Sequence, residues 1–354
     1  MIGLVSINED RNYGAVLQAV GLQNFLDEIG IDNKFVSFDF DYNGVLKLNF
    51  RTPKGSIKSV FTIIHYQQLK SSCDRFQTFI DANQRLFPKD KSIEELRDNP
   101  PNVDGYIVGS DQVWPETNLT PLYSLSFAGD KVKKISYAAS MGKDCIADDK
   151  IETFREYLKN FDTISVREKS AIQALSEVFN GEVDYHVDPT LLHEKAYWSK
   201  YEKTYLGKLP PKFILVYMIY VPGDINKRLR EIKKTTDLPI VLVSNTPYKH
   251  IRCDYYIRDA GPAEFLWLYH HAEGVISSSY HGVVFSAIYR KPFIAVINPN
   301  KRARLDNLLE LLHLEERGSW DLSFLKNKYE EEIISGILAK ERERSRNYLE
   351  DALL

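Results

Sequence analysis

A short polar segment, Ser277–Gly282, concentrates three serine hydroxyls, a phenol and an imidazole between an apolar run and a helical pattern. Backbone N–H groups and the helix dipole favour an anion at such a helix start. The serines can hold a phosphate, and His281 can transfer a proton because an imidazole titrates near neutral pH. A serine-rich helix cap with a packed histidine has the same pattern, so both interpretations stay open. The candidate binding residues here are Ser278, Ser279, Tyr280 and Gly282.

A second polar segment follows the predicted strand Tyr106–Val108 and combines a glycine, a hydroxyl, a carboxylate and an indole. Such mixtures of carboxylate and aromatic face bind sugars, and Asp111 is the candidate to orient or deprotonate a sugar hydroxyl. A turn in which Asp111 caps a helix while an indole packs inside is the alternative. The candidate residues are Gly109, Ser110, Asp111 and Trp114.

Two further segments lie where predicted strands end. Arg167 follows the strand Thr163–Val166, and its guanidinium can grip a carboxylate or phosphate at two points; an ordinary ion pair is the alternative. The turn after the first strand opens a helix in which Gly14 would let a ligand approach the backbone closely; a plain helix start is the alternative. The candidate residues of this helix are Asn12, Tyr13, Gly14 and Gln18.

The elements that position these segments alternate between short β-branched or aromatic runs and longer helical patterns, which predicts parallel βαβ construction. We expect an α/β fold with an N-terminal Rossmann-like domain over residues 1–195, a second over 205–330, and a helix over 331–354 that packs back on the first. Open parallel sheets bind ligands beyond the carboxyl ends of their strands. The predicted strands are Ile2–Ile7, Lys34–Phe38, Tyr106–Val108, Lys134–Ala138, Thr163–Val166, Val183–Val187, Phe213–Ile219, Ile240–Ser244, Gly274–Ser278 and Phe293–Ile297.

Composition excludes several classes of protein. Of the 354 residues, 44% are hydrophobic and 27% charged, which is typical of a globular protein and not of a disordered chain, collagen or a coiled coil. The net charge of -3, without a long basic run, makes nucleic acid an unexpected partner. The chain contains no G-x-G-x-x-G, Walker A, H-E-x-x-H or G-x-S-x-G motif, and its eight histidines show no zinc spacing.

Three widely spaced cysteines, Cys73, Cys145 and Cys253, form no disulfide framework and indicate a reducing compartment. The N-terminal residues lack the basic and apolar regions of a signal peptide. The longest nearly apolar run, Phe213–Val221, has about half the length of a membrane-spanning helix. We therefore expect a cytoplasmic protein, and a peripheral approach to the inner face of a membrane is compatible with the sequence.

Seven segments occur in the order in which they occur in the polysaccharide pyruvyl transferase family, and the sequence resembles that family from its first strand to about Arg317. Because the resemblance rests on seven motifs in order, it is more specific than any one of them. The segments are Asn12–Gln18, Val108–Trp114, Lys134–Ser140, Ser165–Ser170, Asp188–Leu192, Gly261–Phe265, and Ser278–Gly282 through Phe293.

The resemblance implies a fold like that of the GT-B glycosyltransferases and transfer of pyruvate from phosphoenolpyruvate to two hydroxyls of a saccharide, free or lipid-linked, in a surface glycan precursor. A cyclic ketal forms and phosphate leaves, without a metal or redox cofactor. On this basis His281 transfers the proton, Asp111 orients or deprotonates an acceptor hydroxyl, and Arg167 and Lys291 hold the donor.

The chain departs from some branches of the family at two positions. Ser279 stands where those branches carry an arginine, and Ala15 stands where they carry an acidic residue. Donor recognition then falls to Arg167, Arg302 or Arg304.

Two other functions fit the same crevice. A GT-B glycosyltransferase would place the phosphates of a nucleotide sugar at the serine-rich helix start. An inactive glycan-binding protein of the pathway would bind a saccharide without turning it over.

Overall fold

Two parallel sheets, each covered by helices, form the architecture of the computed structural model. The model describes residues 1–38, 42–89, 92–117, 119–129, 131–244, 251–327 and 329–353. The first sheet has the order β2-β1-β3-β4, and β5-β6 continue it through parallel bridges from Ile135 to Thr163 and from Ala139 to Val166. The second sheet has the order β11-β10-β7-β8-β9. In order, the strands are β1 Ile2–Val5, β2 Asn33–Phe35, β3 Gly105–Gly109, β4 Lys133–Tyr137, β5 Ile164–Val166, β6 Val183–Tyr185, β7 Ile214–Tyr217, β8 Ile240–Val243, β9 Tyr255–Ile257, β10 Gly274–Ser277 and β11 Phe293–Ala295.

The helices return the chain from the carboxyl end of one strand to the amino end of the next, which keeps the strands parallel. Their apolar faces meet the sheets in three buried clusters, of which the largest includes residues of both sheets. The helices are α1 Tyr13–Glu28, α2 Pro53–Ile64, α3 Tyr66–Asn83, α4 Ile93–Asp98, α5 Ile151–Leu158, α6 Ile172–Ser176, α7 Lys195–Trp198, α8 Ile225–Thr236, α9 Pro262–His271, α10 Tyr280–Ile288, α11 Ala303–Leu311 and α12 Glu331–Leu353.

The start of α1 joins the two sheets. The Tyr13 ring stacks on Phe265 of α9 at a centroid distance of 4.4 Å, and its hydroxyl donates to the carbonyl of Ala260 at 3.1 Å. Since α1 begins directly after β1, this contact places the carboxyl end of the first sheet against helices of the second. The crevice between the sheets is therefore narrow at this point.

The final helix, α12, lies against the first sheet. Tyr348 donates to the carbonyl of Ser136 at 2.8 Å, and Arg342 donates to the carbonyl of Leu191 at 3.1 Å. Leu349 is fully buried in the same contact. Leu354, the last residue of the predicted helix, lies outside the described residues.

In the part of the chain that the structure describes, no helix is both long and apolar enough to cross a membrane.

Candidate active site

A buried charged cluster lies in the crevice and centres on Asp188, which follows β6. Its Oδ2 lies 2.8 Å from Nη1 of Arg167 and 3.3 Å from Nε2 of His281. The hydroxyl of Ser110 donates to the same oxygen at 3.1 Å, and the hydroxyl of Thr190 donates to Oδ1 at 2.6 Å. Asp188 belongs to the first sheet and His281 to the second, so this carboxylate joins the two halves of the crevice.

The ionisation of Asp188 is fixed by its partners. Burial alone would raise the pKa of this carboxyl, but His281, Arg167 and the Thr190 hydroxyl together hold it well below its usual value. Asp188 therefore stays charged and keeps the imidazole of His281 oriented by the nearby negative charge.

Arg167 is held in one position by its contacts with neighbouring side chains. Its Nε donates to Glu168 at 3.2 Å, and the guanidinium lies 4.2 Å above the ring of Tyr280. Burial alone would lower its pKa, but Glu168, Tyr280, Asp188 and Asp111 raise it. Its Nη2 makes no hydrogen bond and lies 3.9 Å from Oδ1 of Asp111. This N–H group is buried and lies on the side of Arg167 that faces Asp111.

Asp111 is held by a turn with two residues in the left-handed region. Ser110 has φ 23° and Asp111 has φ 62°, which non-glycine residues adopt at a cost. The Asp111 carbonyl accepts from the backbone N–H of Val113 at 2.9 Å and of Ser140 at 3.0 Å, so the turn is supported from two elements. The carboxylate is thereby directed toward Arg167.

Gly14 allows His281 to occupy its position. A Cβ at residue 14 would lie 2.0 Å from Nδ1 of His281, well inside van der Waals contact. The N-terminal turn of α1 therefore forms one wall of the imidazole site, and a glycine is required there.

We expect Gly14→Ala to destabilise the protein by about 1–3 kcal/mol, the usual cost of overpacking, because the imidazole must move. A His281→Ala background removes the two shortest contacts and leaves only the Cβ of residue 281, at 2.8 Å from the added methyl group, so the same change should cost less there. Urea unfolding of the four proteins in this double-mutant cycle measures the coupling. Equal costs in both backgrounds would contradict the close approach of α1 to His281.

A second cation faces an open cavity beside the cluster. Arg304 on α11 forms no ion pair or hydrogen bond with the described residues and lines a cavity of about 230 Å³. Lys301, Ser278, Tyr280 and Asn298 line the same cavity. Burial, and then repulsion from Arg167, lower the pKa of Arg304. Two arginines held close together in this way favour a bound anion between them.

The other predicted residues of the first and tenth helices shape this region. The Asn12 side chain caps α1 by accepting from the N–H of Gly14 at 3.1 Å, and Gln18 donates to Ser6 at 2.9 Å. Ser278 accepts from the N–H groups of Ile219 and Tyr220, which holds the loop after β7. Ser279 is the N-cap residue of α10, and a Cβ at Gly282 would lie 2.0 Å from Oγ of Ser277.

Four predicted residues lie apart from the cluster. Trp114 is fully buried, and its indole donates to the carbonyl of Tyr123 at 3.0 Å. Tyr13 packs between the sheets, and Gly109 ends β3 against Leu22. Lys291 precedes β11 and is at the amino edge of the second sheet, whereas His281 lies at the carboxyl edge.

The sequence did not single out Asp188, Glu168, Asn298 or Lys301 as site residues. The segment Asp188–Leu192 was part of the family resemblance, and this was the available signal for Asp188. Its side chain also caps the turn that follows, by accepting from the N–H of Thr190 at 3.0 Å, and a turn is all that an isolated Asp-Pro pair indicates.

One group of side chains outside the crevice has donor atoms close enough together for a metal. The atoms of Glu202, His270 and His271 lie within 4.8 Å of one another. The Glu202 carboxylate already accepts from Tyr289 at 2.9 Å and lies 2.9 Å from Nδ1 of His270. Its contacts in this structure are thus those of a carboxylate hydrogen-bonded to a phenol and an imidazole.

Comparison with solved structures shows the class of fold. The chain is similar to a glycosyltransferase involved in avilamycin A biosynthesis, with 11% identity, coverage of 99% of this chain and 96% of that chain, and a TM-score of 0.50. It is similar to UDP-GlcNAc 2-epimerase from Neisseria meningitidis with 12% identity, coverage of 98% of this chain and 93% of that chain, and a TM-score of 0.49. For UDP-GlcNAc 2-epimerase from Methanocaldococcus jannaschii the identity is 13%, the coverage is 96% of this chain and 93% of that chain, and the TM-score is 0.48. The two facing parallel sheets form an α/β fold of the GT-B type, as the sequence predicted.

Residues 12–300 match the family model of the polysaccharide pyruvyl transferases. The chain belongs to this family, which confirms the resemblance seen in its ordered motifs and indicates a transferase. No curated protein matches it.

Proposed function

We propose that this protein transfers the pyruvate group of phosphoenolpyruvate to two hydroxyls of a saccharide, forming a cyclic ketal and releasing phosphate. The observation that supports this most directly is the cavity in front of Arg304, in a chain of this family. Phosphoenolpyruvate carries about three negative charges, and Arg304 and Lys301 line the cavity as matching cations, with the charge of Arg167 directly behind the Tyr280 ring. A volume of about 230 Å³ suits a small anion better than a nucleotide sugar.

The proposed reaction begins with addition of one acceptor hydroxyl to the carbon that bears the phosphate. Asp111 accepts the hydroxyl proton, and His281 donates a proton to the methylene carbon, which becomes a methyl group. The C–O bond to phosphate then breaks, and phosphate leaves with the electron pair. The second hydroxyl attacks the resulting oxocarbenium carbon and gives its proton to the departing phosphate or to the base. Neither step requires a metal or redox cofactor.

The acceptor side of the crevice has a different character. A cavity of about 350 Å³ next to Gln112 is lined by Asn8, Glu9, Asp10, Phe38 and Tyr123, among others. Burial raises the pKa of Asp10, and the charge of Asp111 raises it further. Acidic and aromatic groups suit a neutral saccharide and repel an anionic donor, so we assign this side to the acceptor. The saccharide is part of a surface glycan precursor, free or lipid-linked, and the reaction takes place in the cytoplasm.

Phosphoenolpyruvate is expected to raise the Tm of the protein, because a ligand that binds only the native state stabilises it. Arg304→Gln should remove most of this shift. Arg302→Gln is the matched control, since Arg302 lies two residues earlier, is exposed, and pairs with Asp306. Thermal unfolding with phosphoenolpyruvate, and separately with nucleotide sugars, measures both effects.

The outcome separates the proposed function from its alternatives. A shift with a nucleotide sugar and none with phosphoenolpyruvate would favour glycosyl transfer. A shift with a glycan alone, without phosphate release, would identify a binding protein. An equal phosphoenolpyruvate shift in the Arg304→Gln variant would remove Arg304 from the donor site.

A further inference from the structure

Helix α2 exposes four aliphatic side chains and buries two hydroxyl side chains. Ile57 is 68% exposed and Ile64 is 69% exposed, and Val60 and Ile63 are exposed beside them. On the opposite face Ser59 and Thr62 are buried, where they donate to the carbonyls of Asn49 and Val45. This is the reverse of the usual arrangement for a helix on the surface of a globular protein.

The exposed side chains form a concentrated patch. Of the eleven exposed large hydrophobic residues in the described part of the chain, seven lie between residues 48 and 66. We call this surface the α2 patch; its apolar members are Leu48, Phe50, Ile57, Val60, Ile63, Ile64 and Tyr66. Contiguous exposed apolar surface marks a site of interaction with another molecule or with a membrane.

The charge around the α2 patch indicates which kind of molecule binds there. Residues 42–73 include five Lys or Arg and no Asp or Glu, in a chain whose net charge is -3. Lys47, Arg51 and Lys58 are exposed beside the apolar residues. Basic side chains next to exposed Ile, Phe and Tyr are the pattern of a helix that lies in the interface of an anionic bilayer. A second copy of the chain is disfavoured, since a two-fold interface would bring these cations together.

The patch lies at the rim of the crevice. The guanidinium of Arg258, which follows β9, lies 5.7 Å from the ring centroid of Phe61 on α2. Arg258 is thus at the carboxyl edge of the second sheet, the edge that also carries Ser278 and the start of α10. A membrane bound at α2 would therefore face the same side of the molecule as the mouth of the crevice.

We propose that the α2 patch is a membrane-docking surface that binds anionic lipid bilayers and presents the crevice to acceptors at the bilayer surface. The lipid binding follows from exposure and charge alone, whereas the delivery of acceptors rests on the function proposed above. Binding to vesicles can be measured without substrate, so failure of one proposal is distinguishable from failure of the other.

Vesicle flotation of the full chain tests the docking surface. The protein is expected to float with phosphatidylcholine vesicles that contain phosphatidylglycerol, and weakly with phosphatidylcholine alone. Ile64→Ser should weaken vesicle binding about tenfold, because it removes most of an isoleucine side chain that the bilayer would bury. Lys58→Glu should weaken it by more than about tenfold, since it changes two charges near the lipid surface.

Two variants on other surfaces serve as matched controls. Ile333→Ser changes an exposed isoleucine at the start of α12, and Lys234→Glu reverses an exposed charge near the end of α8. Both should change vesicle binding less than about twofold. All four variants alter exposed side chains, so an unchanged Tm confirms that each is folded.

Two results would contradict the proposal that the α2 patch binds membranes. One is equal flotation of the wild-type protein and the Ile64→Ser and Lys58→Glu variants. The other is concentration-dependent self-association that Ile64→Ser abolishes, with no binding to anionic vesicles, which would assign the patch to a second copy of the chain. Unchanged stabilisation of these variants by phosphoenolpyruvate would show that the donor site is intact in either case.

Discussion

His281→Ala is expected to slow phosphate release from phosphoenolpyruvate by about 10²–10⁴-fold, the usual contribution of a positioned general acid or base. The imidazole lies 3.3 Å from Asp188, and α1 and α10 hold it in place. The variant should remain folded, because Asp188 keeps its bonds to Arg167, Ser110 and Thr190. Phosphoenolpyruvate should still raise its Tm, because the proposed donor cations are untouched.

The measurement is phosphate release in the presence of an acceptor, together with thermal unfolding. His271→Ala is the matched control: this histidine is exposed at the end of α9, where it contacts Trp267 and His270, outside the buried cluster. It should release phosphate at the wild-type rate. A His281→Ala protein as fast as this control would exclude proton transfer by His281.

The parallel sheets were predictable because burial on both faces makes their strands nearly continuous apolar runs separated by helical patterns. Every predicted strand overlaps an observed one. The helix α2 and the strand β9 are not among the elements predicted from the sequence. In α2 the apolar residues Ile57, Val60 and Ile64 have helical spacing, but the exposure of the face they form is not visible in the sequence. The edge strand β9 has three residues, and the charged Asp254 and Arg258 flank it, so no apolar run marks it in the sequence.

The site was predictable to the extent that its residues directly follow strands. Asp111, Arg167 and His281 follow β3, β5 and β10, and the carboxyl ends of parallel strands meet at one edge. Lys291 is close to His281 in sequence, but the nine residues of α10 carry the chain roughly 13 Å toward the opposite edge. The partnership of Asp188 with His281 joins segments that follow different sheets, and such a contact has no local signal in sequence.

Asp188→Asn is expected to lower the free energy of unfolding by about 3–5 kcal/mol. Asp188 and Arg167 are both fully buried, and removing one partner of a buried ion pair is strongly destabilising, although Glu168 stays beside Arg167 at 3.2 Å. Asp184→Asn is a matched control four residues earlier, in the middle of β6. Asp184 pairs with Arg344 and is about two-fifths exposed, so its loss should cost less than about 1 kcal/mol. Urea unfolding of both variants tests the difference.

The same substitution should also change how stability depends on pH. The folded-state pKa of Asp188 is depressed, so its contribution is complete above the unfolded pKa of about 3.9 and is lost as pH falls through the lower folded value. Asp188→Asn should therefore reduce the loss of stability that acid causes below about pH 4. Asp184→Asn should keep the share of that loss that comes from protonation of Asp188. Because Asp188 also orients His281, phosphate release by folded Asp188→Asn protein should fall. A variant with wild-type stability and rate would show that the charge bridging the two sheets supports neither the fold nor the reaction.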